Sequence, residues 1–257
     1  MTTHIHVSDH LILPYGRAVR DDLQKINLSA VSANGLYFST EVPIIYINKS
    51  KREPLCLSWF PAKFGGEDGD GPYGDDDQTI LEFMLSTLKS NNPNMTRSEE
   101  LFLDLYFDIL MALMFASAGE SAKSIAIFKK SGLGALHHHN SPTDLWRALI
   151  PIPELQLYVN DPLGAWNFQP DNNFRVDYGF WDGEKLIAVE IDGAEPSGYA
   201  RDIRRDRLLR RAGVDVIHIL NLELDKHRGR ALLQLLPDRF FGYSWDYEGQ
   251  RPYEIPF

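Results

Sequence analysis

The sequence predicts a mixed α/β protein, and three observations carry that expectation. From Ile150 onward, short β-type and helical runs follow one another in the order β-β-β-α-β-α, which describes a small α/β unit with a mixed sheet. Upstream, between Asp77 and Lys130, apolar residues recur at helical spacing. The 257 residues are 44% hydrophobic and 24% charged, enough apolar material for one large domain or two small ones, and unlike a disordered or fibrous chain.

The first 65 residues read as strand-rich. Val42–Ile47 and Leu55–Phe60 are short β-type runs separated by the polar turn segment Asn48–Pro54. Gly65–Asp77 is dense in Gly and acid, but it fails as an EF-hand. Pro72 stands where the third oxygen ligand belongs and Thr79 where the terminal Glu belongs, so the segment reads as a solvated loop. Ile80, Leu81, Met84, Leu85 and Leu88 predict a helix over Asp77–Ser90, broken by Asn91-Asn92-Pro93-Asn94. Thr96 and Glu99 form a capping box ahead of the apolar run Leu101–Phe115, which predicts a second helix. Helical signals continue over Ser121–Lys130. The run His137-His138-His139 lies between Gly134 and Pro142 and reads as an exposed loop, because neighbouring side chains do not share a face. A short helix is expected from Ser141 to Leu149.

Three strands are expected next: Glu154–Val159, Phe174–Trp181 and Lys185–Asp192. A helix over Tyr199–Ala212 closes on Gly213 as its C-cap. A fourth strand, Val214–Leu220, precedes a last helix, Leu224–Leu236, which Pro237 ends. The tail Trp245–Phe257 is aromatic and Pro-containing.

Composition excludes some function classes. Lys plus Arg number 26 and Asp plus Glu 36, a net charge of −10, which argues against a protein that coats DNA through a broadly basic surface. The single cysteine, Cys56, excludes an intrachain disulfide and Cys-based zinc sites. No basic region followed by an apolar run opens the chain, and the most apolar stretch, Leu105–Ala118, carries Asp108 and falls short of the ~20 residues a membrane span needs. A cytoplasmic protein with no membrane partner is expected.

The chemistry concentrates on two strands. Asp182-Gly183 is a hairpin signal between Phe174–Trp181 and Lys185–Asp192. A four-residue loop sets Asp177 directly opposite Glu190, and a two-residue loop makes them diagonal neighbours. Either of these registers puts both on one face, with Asp192 two residues beyond; a three-residue loop separates them onto opposite faces. Ile187, Val189 and Ile191 make the third strand apolar on its other face. Carboxylates projecting from such a strand are expensive unless compensated. A divalent cation compensates them, and oxygen ligands with room for water suit Mg2+ or Mn2+.

The following helix supplies a complementary charge. Tyr199–Arg211 holds six arginines, and Tyr199–Arg230 has nine Lys/Arg against five Asp/Glu, +4 within an acidic protein. Arginine forks match phosphate oxygens. Some of these arginines instead pair within the helix, Asp202 with Arg205 and Asp206 with Arg210.

Arg175-Val176-Asp177, Val189-Glu190-Ile191-Asp192-Gly193, Arg201-Asp202, Arg205-Asp206, Leu209 and Gly213 before a final strand together resemble the very-short-patch-repair-like branch of the PD-(D/E)XK nuclease superfamily. The resemblance covers about Leu149 to Leu236. It implies a restriction-endonuclease-like core over residues 96–240, with a helical insertion at about 110–149, an N-terminal region 1–95 and a tail 241–257. It implies a metal-dependent endonuclease, with Mg2+ or Mn2+ held by Asp177, Glu190 and the main-chain carbonyl of Ile191. Asp192 stands where many relatives place a water-orienting Lys. Glu99 or Glu100, on the capped helix, approaches the metal, and Gln156 and His218 support the site. Arg201, Arg204, Arg205 and Arg207 are the expected phosphate contacts. Nucleic acid, DNA foremost, is the expected partner, together with a protein partner or a second copy of the chain. Many relatives carry a His soon after the Asp-Gly, and Ala194–Gly198 has none. The second reading is therefore a nuclease-fold subunit that binds or scaffolds without catalysis.

Overall fold

The computed structural model describes residues 10–14, 26–32, 35–40, 44–48, 52–58, 77–130, 145–158, 173–193 and 199–242. Near the N-terminus β1 (His10–Pro14) pairs antiparallel with β4 (Ile44–Asn48), and β2 (Ile26–Ser32) pairs antiparallel with β3 (Gly35–Thr40). Helices α1 (Asp77–Asn91), α2 (Arg97–Ser117) and α3 (Ser121–Lys130) follow. Strands β5 (Ile152–Tyr158), β6 (Asn173–Trp181) and β7 (Leu186–Asp192) lead to α4 (Tyr199–Arg211), β8 (Asp215–Leu220), α5 (Asn221–His227) and α6 (Gly229–Leu235).

The main sheet has the order β5-β6-β7-β8, antiparallel at the first two junctions and parallel at the third. It is an open mixed sheet, so the chain is of mixed α/β character. Trp181 pairs with Leu186, which fixes the four-residue loop Asp182–Lys185. Asp182 closes that loop by accepting the amides of Glu184 and Lys185, both at 2.8 Å. Gly183 sits at φ +96°, and a Cβ there would lie 2.6 Å from the carbonyl oxygen of Arg52, so no other residue fits the turn. Gly213, at φ +82°, ends α4 as its sequence position implies.

One face of the sheet is sealed by aromatics. Phe102 and Tyr106 of α2 meet Tyr178 and Phe180 of β6, with ring centroids 4.5 Å apart for Phe102–Tyr178 and 5.7 Å for Tyr106–Phe180. Phe240 packs tilted against Phe180, with centroids 4.5 Å apart. The Tyr106 hydroxyl donates its one proton between two carbonyls, Leu149 at 2.8 Å and Phe240 at 2.6 Å. Burial pushes that phenol well above its ordinary pKa, so it stays a donor. Leu55, Leu57, Leu81, Met84 and Leu88 join the same core as α2 and the sheet.

Three elements differ from the sequence expectation. Within the expected strand Leu55–Phe60, the described part makes only an isolated bridge, Cys56 with Leu149. The segment is shared between partners: Leu55 N–H bonds the Trp181 carbonyl while Leu57 N–H bonds that of Ala148, so no single ladder grows. The expected helix to Leu149 is represented by a 3-10 turn, Leu145–Arg147. The expected helix Leu224–Leu236 is two helices, broken where Arg228 takes φ 44° just before Gly229, the weakest helix former after proline. The Arg228 guanidinium reaches the Lys130 carbonyl at 3.3 Å, which ties the break to α3. The acidic run at 65–76, the histidines at 137–139 and the tail from Trp245 lie outside the described residues. No helix among the described residues is long and apolar enough to cross a membrane.

Candidate active site

The sheet opens between β6 and β7. Their main-chain ladder ends at Tyr178 paired with Val189, while β7 continues alongside β8 to Asp192 and Leu220. One residue past the last pair, the Asp177 carboxylate takes over and accepts the Ile191 N–H at 2.7 Å. Glu190 follows Val189 and is paired in register with His218 of β8. Asp177, Glu190 and His218 thus fall in a row across three strands, and α4 lies against β8 over this region.

Glu99 enters from the N-terminus of α2. The capping box forms as the sequence predicts: Thr96 Oγ1 accepts the Glu99 N–H at 3.3 Å, and the Glu99 carboxylate accepts the Thr96 N–H. The Tyr178 hydroxyl donates to the Glu99 main-chain carbonyl at 2.6 Å, which fastens this turn of α2 to β6. So placed, the Glu99 side chain lies near Asp177 and raises its pKa. Burial is the main reason Asp177 is pushed up from 3.8 to about 6; the Ile191 amide opposes the rise and Glu99 adds to it. Glu100 is exposed, so of the two adjacent acids the structure brings Glu99 to the site.

Glu190 is 5% exposed. Burial pushes it from 4.5 to about 8; Arg205 and His218 pull it down, while Asp177 and Asp192 push it up. The Arg205 guanidinium approaches Glu190 Oε1 to 3.3 Å, yet that oxygen has no hydrogen-bond partner. Beside it, His218 bridges two carboxylates, with Nδ1 2.7 Å from Asp192 and Nε2 2.7 Å from Asp206. Burial pulls the imidazole pKa down, but the hydrogen bonds to Asp206 and Asp192 outweigh it, so the net shift is upward.

The remaining expected residues separate. Arg205 turns to Glu190, and Arg204 and Arg207 are exposed on α4. The side chains of Arg201 and Gln156 lie outside the described residues; the Gln156 backbone is paired with Arg175 across β5 and β6. Ile191 contributes its N–H to Asp177. Three further residues belong here. Asp206 reads in sequence as an intrahelical partner of Arg210, but it holds His218. Tyr178 positions Glu99. Arg175, ion-paired with Glu154 at 3.5 Å, is a cation that lowers the pKa of Asp177.

The donor set fits a hard divalent cation in kind: neighbouring carboxylates, Glu190 buried and Asp177 half-buried, whose charges repel, one with an oxygen left unpartnered. Among the described residues no group of three His, Cys, Asp or Glu side chains is arranged to hold a metal ion. The set implied by the resemblance is of another composition, two carboxylates and a main-chain carbonyl. Compared with protein-family models, with curated proteins and with solved structures, the chain matches none.

Proposed function

We propose that this chain is a metal-dependent endonuclease with a restriction-endonuclease-like core, hydrolysing phosphodiester bonds in nucleic acid, DNA foremost. One observation carries the reading: Asp177 and Glu190 stand side by side where two strands part, one half-buried and the other buried, and burial pushes their pKa up to about 6 and about 8 even with cationic side chains nearby. Structural carboxylates are seldom left so, because burying unpaired charge is costly.

Asp177, Glu190 and the Ile191 carbonyl would hold Mg2+ or Mn2+. When bound, such an ion supplies a Lewis acid that lowers the pKa of water and offsets charge developing on the phosphate. The chain's own residues set the frame. The Ile191 amide fixes Asp177, and Tyr178 and the capping box fix Glu99 beside it. Exposed Arg204 and Arg207 offer guanidinium forks to phosphate oxygens along α4. Water adds to phosphorus in line with the 3′ oxygen, and the bond from phosphorus to that oxygen breaks.

The test is nicking of supercoiled plasmid and cleavage of single-stranded DNA with Mg2+, Mn2+ or EDTA. We expect metal-dependent cleavage, lost in Asp177→Ala and in Glu190→Ala. Cleavage unchanged by both substitutions would sink the reading. The Arg205–Glu190 ion pair favours a second reading, a nuclease-fold subunit without catalysis, which predicts no cleavage and no Glu190-dependent metal binding.

A further inference from the structure

Resting on that reading of Asp177 and Glu190 as a cation site, we propose that Arg205 is the site's built-in counter-ion, occupying the place of the divalent ion at Glu190 and withdrawing when that ion binds. Three buried polar atoms meet here with no hydrogen-bond partner: Glu190 Oε1, Arg205 Nε and Asp206 Oδ1. Arg205 Nη2 stands 3.3 Å from Glu190 Oε1 and its Nε 4.0 Å from Asp206 Oδ1. The charges are therefore adjacent while the hydrogen bonds are unmade. A permanent arginine–carboxylate pair closes bidentate at shorter distance.

The anchoring of α4 does not depend on this guanidinium. Asp206, the next residue, is bound to His218 at 2.7 Å, and His218 to Asp192 at 2.7 Å, so helix, β8 and β7 are locked together beside the site. Arg205 can leave Glu190 without releasing the helix. It is also the only basic side chain ion-paired with Glu190 among the described residues. A guanidinium and a divalent ion cannot both sit against one carboxylate oxygen, because their mutual repulsion in a site shielded from water is large. Binding of the ion at Glu190 and departure of Arg205 are thus one event. The arginine offsets the Glu190 charge at a cost in metal affinity.

The experiment is Mn2+ binding to the full chain at low salt, followed by electron paramagnetic resonance of the free ion, in wild type, Arg205→Gln, Arg205→Lys and Glu190→Gln. Thermal unfolding checks that each variant is folded. Removing the competing charge in Arg205→Gln should tighten binding by ~10-fold or more, as expected for a like charge removed from a shielded site. Arg205→Lys keeps the charge and should bind like wild type. Glu190→Gln should abolish the site. Equal or weaker binding in a folded Arg205→Gln, with the site still dependent on Glu190, overturns the inference alone. No Glu190-dependent binding in either wild type or Arg205→Gln overturns the cation-site reading and the inference with it. The wild type gives an independent readout. Titration with Mg2+ should shift the Arg205 Nε–H resonance, and no such shift should occur in Glu190→Gln; an unmoved resonance at saturating Mg2+ counts against the exchange.

Discussion

At the turn end of the β6–β7 hairpin, Asp182 faces Arg239; at the open end, Glu190 faces Arg205. Both are buried carboxylates opposite an arginine, with side chains 2% and 6% exposed. Asp182 accepts two loop amides through one oxygen and meets Arg239 at 2.5 Å through the other, an ion pair whose carboxylate oxygen, like Glu190 Oε1, has no hydrogen-bond partner. Glu190 Oε1 has a guanidinium at 3.3 Å and no hydrogen bond. The first pair pins the C-terminal turn Asp238–Phe241 to the hairpin. The second has no loop amide beside it and stands next to another carboxylate, Asp177, which raises its pKa. Burial of a carboxylate opposite an arginine therefore does not mark a site; a second carboxylate beside it, with the pKa pushed up, does.

The largest expected effect of a substitution breaks the Asp182–Arg239 pair. Asp182→Ala leaves Arg239 without its carboxylate and opens the turn, so it should destabilise the protein by about 3–5 kcal/mol, measured by urea denaturation. Glu190→Gln should do the reverse in EDTA at pH 9, raising stability, because at that pH, above about 8, the buried carboxylate is ionised at a cost that the neutral amide avoids. Equal destabilisation at both ends would show that the two pairs are of one kind.

A second effect sharpens the contrast through pH. Asp177 is raised from 3.8 to about 6 and Glu190 from 4.5 to about 8 in the folded chain. Over this interval the folded state binds more protons than the unfolded state, so stability falls as pH rises. The contribution is complete below about pH 4 and is lost as pH climbs through about 6 and then about 8. Denaturation in EDTA from pH 5 to 9 should lose stability on the order of 5 kcal/mol, and Glu190→Gln should flatten the upper half of that curve. Saturating Mn2+ should remove the slope, since it favours the ionised carboxylates. A wild-type curve that rises with pH in EDTA would contradict this account of the open end.

How much of the two ends was legible in the sequence follows from how local each signal is. Asp182-Gly183 located the turn, because a hairpin loop is marked by its own residues; its length, and with it the register that puts Asp177 next to Glu190, was left open in the sequence and is decided by the pairing of Trp181 with Leu186. The capping box at Thr96 and Glu99 is equally local. The choice between Glu99 and Glu100 was not legible, since adjacent helical residues point about 100° apart and only the docking of α2 on Tyr178 decides which one reaches β6. Asp206 was read as a helix-surface partner of Arg210 because their spacing allows it. Its actual partner, His218, lies on β8, and nothing local announces that the helix lies with Asp206 against that strand. The break at Arg228 was hidden because the flanking Leu224 and Leu232 are both buried and mimic one continuous apolar stripe.

The smallest expected effect concerns Glu99, which serves the helix and the site at once. Its carboxylate accepts the Thr96 N–H and also raises the pKa of nearby Asp177. Thr96→Ala removes one half of the capping box and should cost about 1 kcal/mol of stability. It leaves Tyr178 holding the Glu99 backbone, so Mn2+ affinity should be unchanged. Glu99→Gln keeps an oxygen that can still accept the Thr96 N–H, so stability should move by less than about 0.5 kcal/mol. It removes a carboxylate from beside Asp177, so Mn2+ affinity should change. If both substitutions altered affinity equally, the cap itself would be what places Glu99 against Asp177, and the Tyr178 hydroxyl would be a secondary tether.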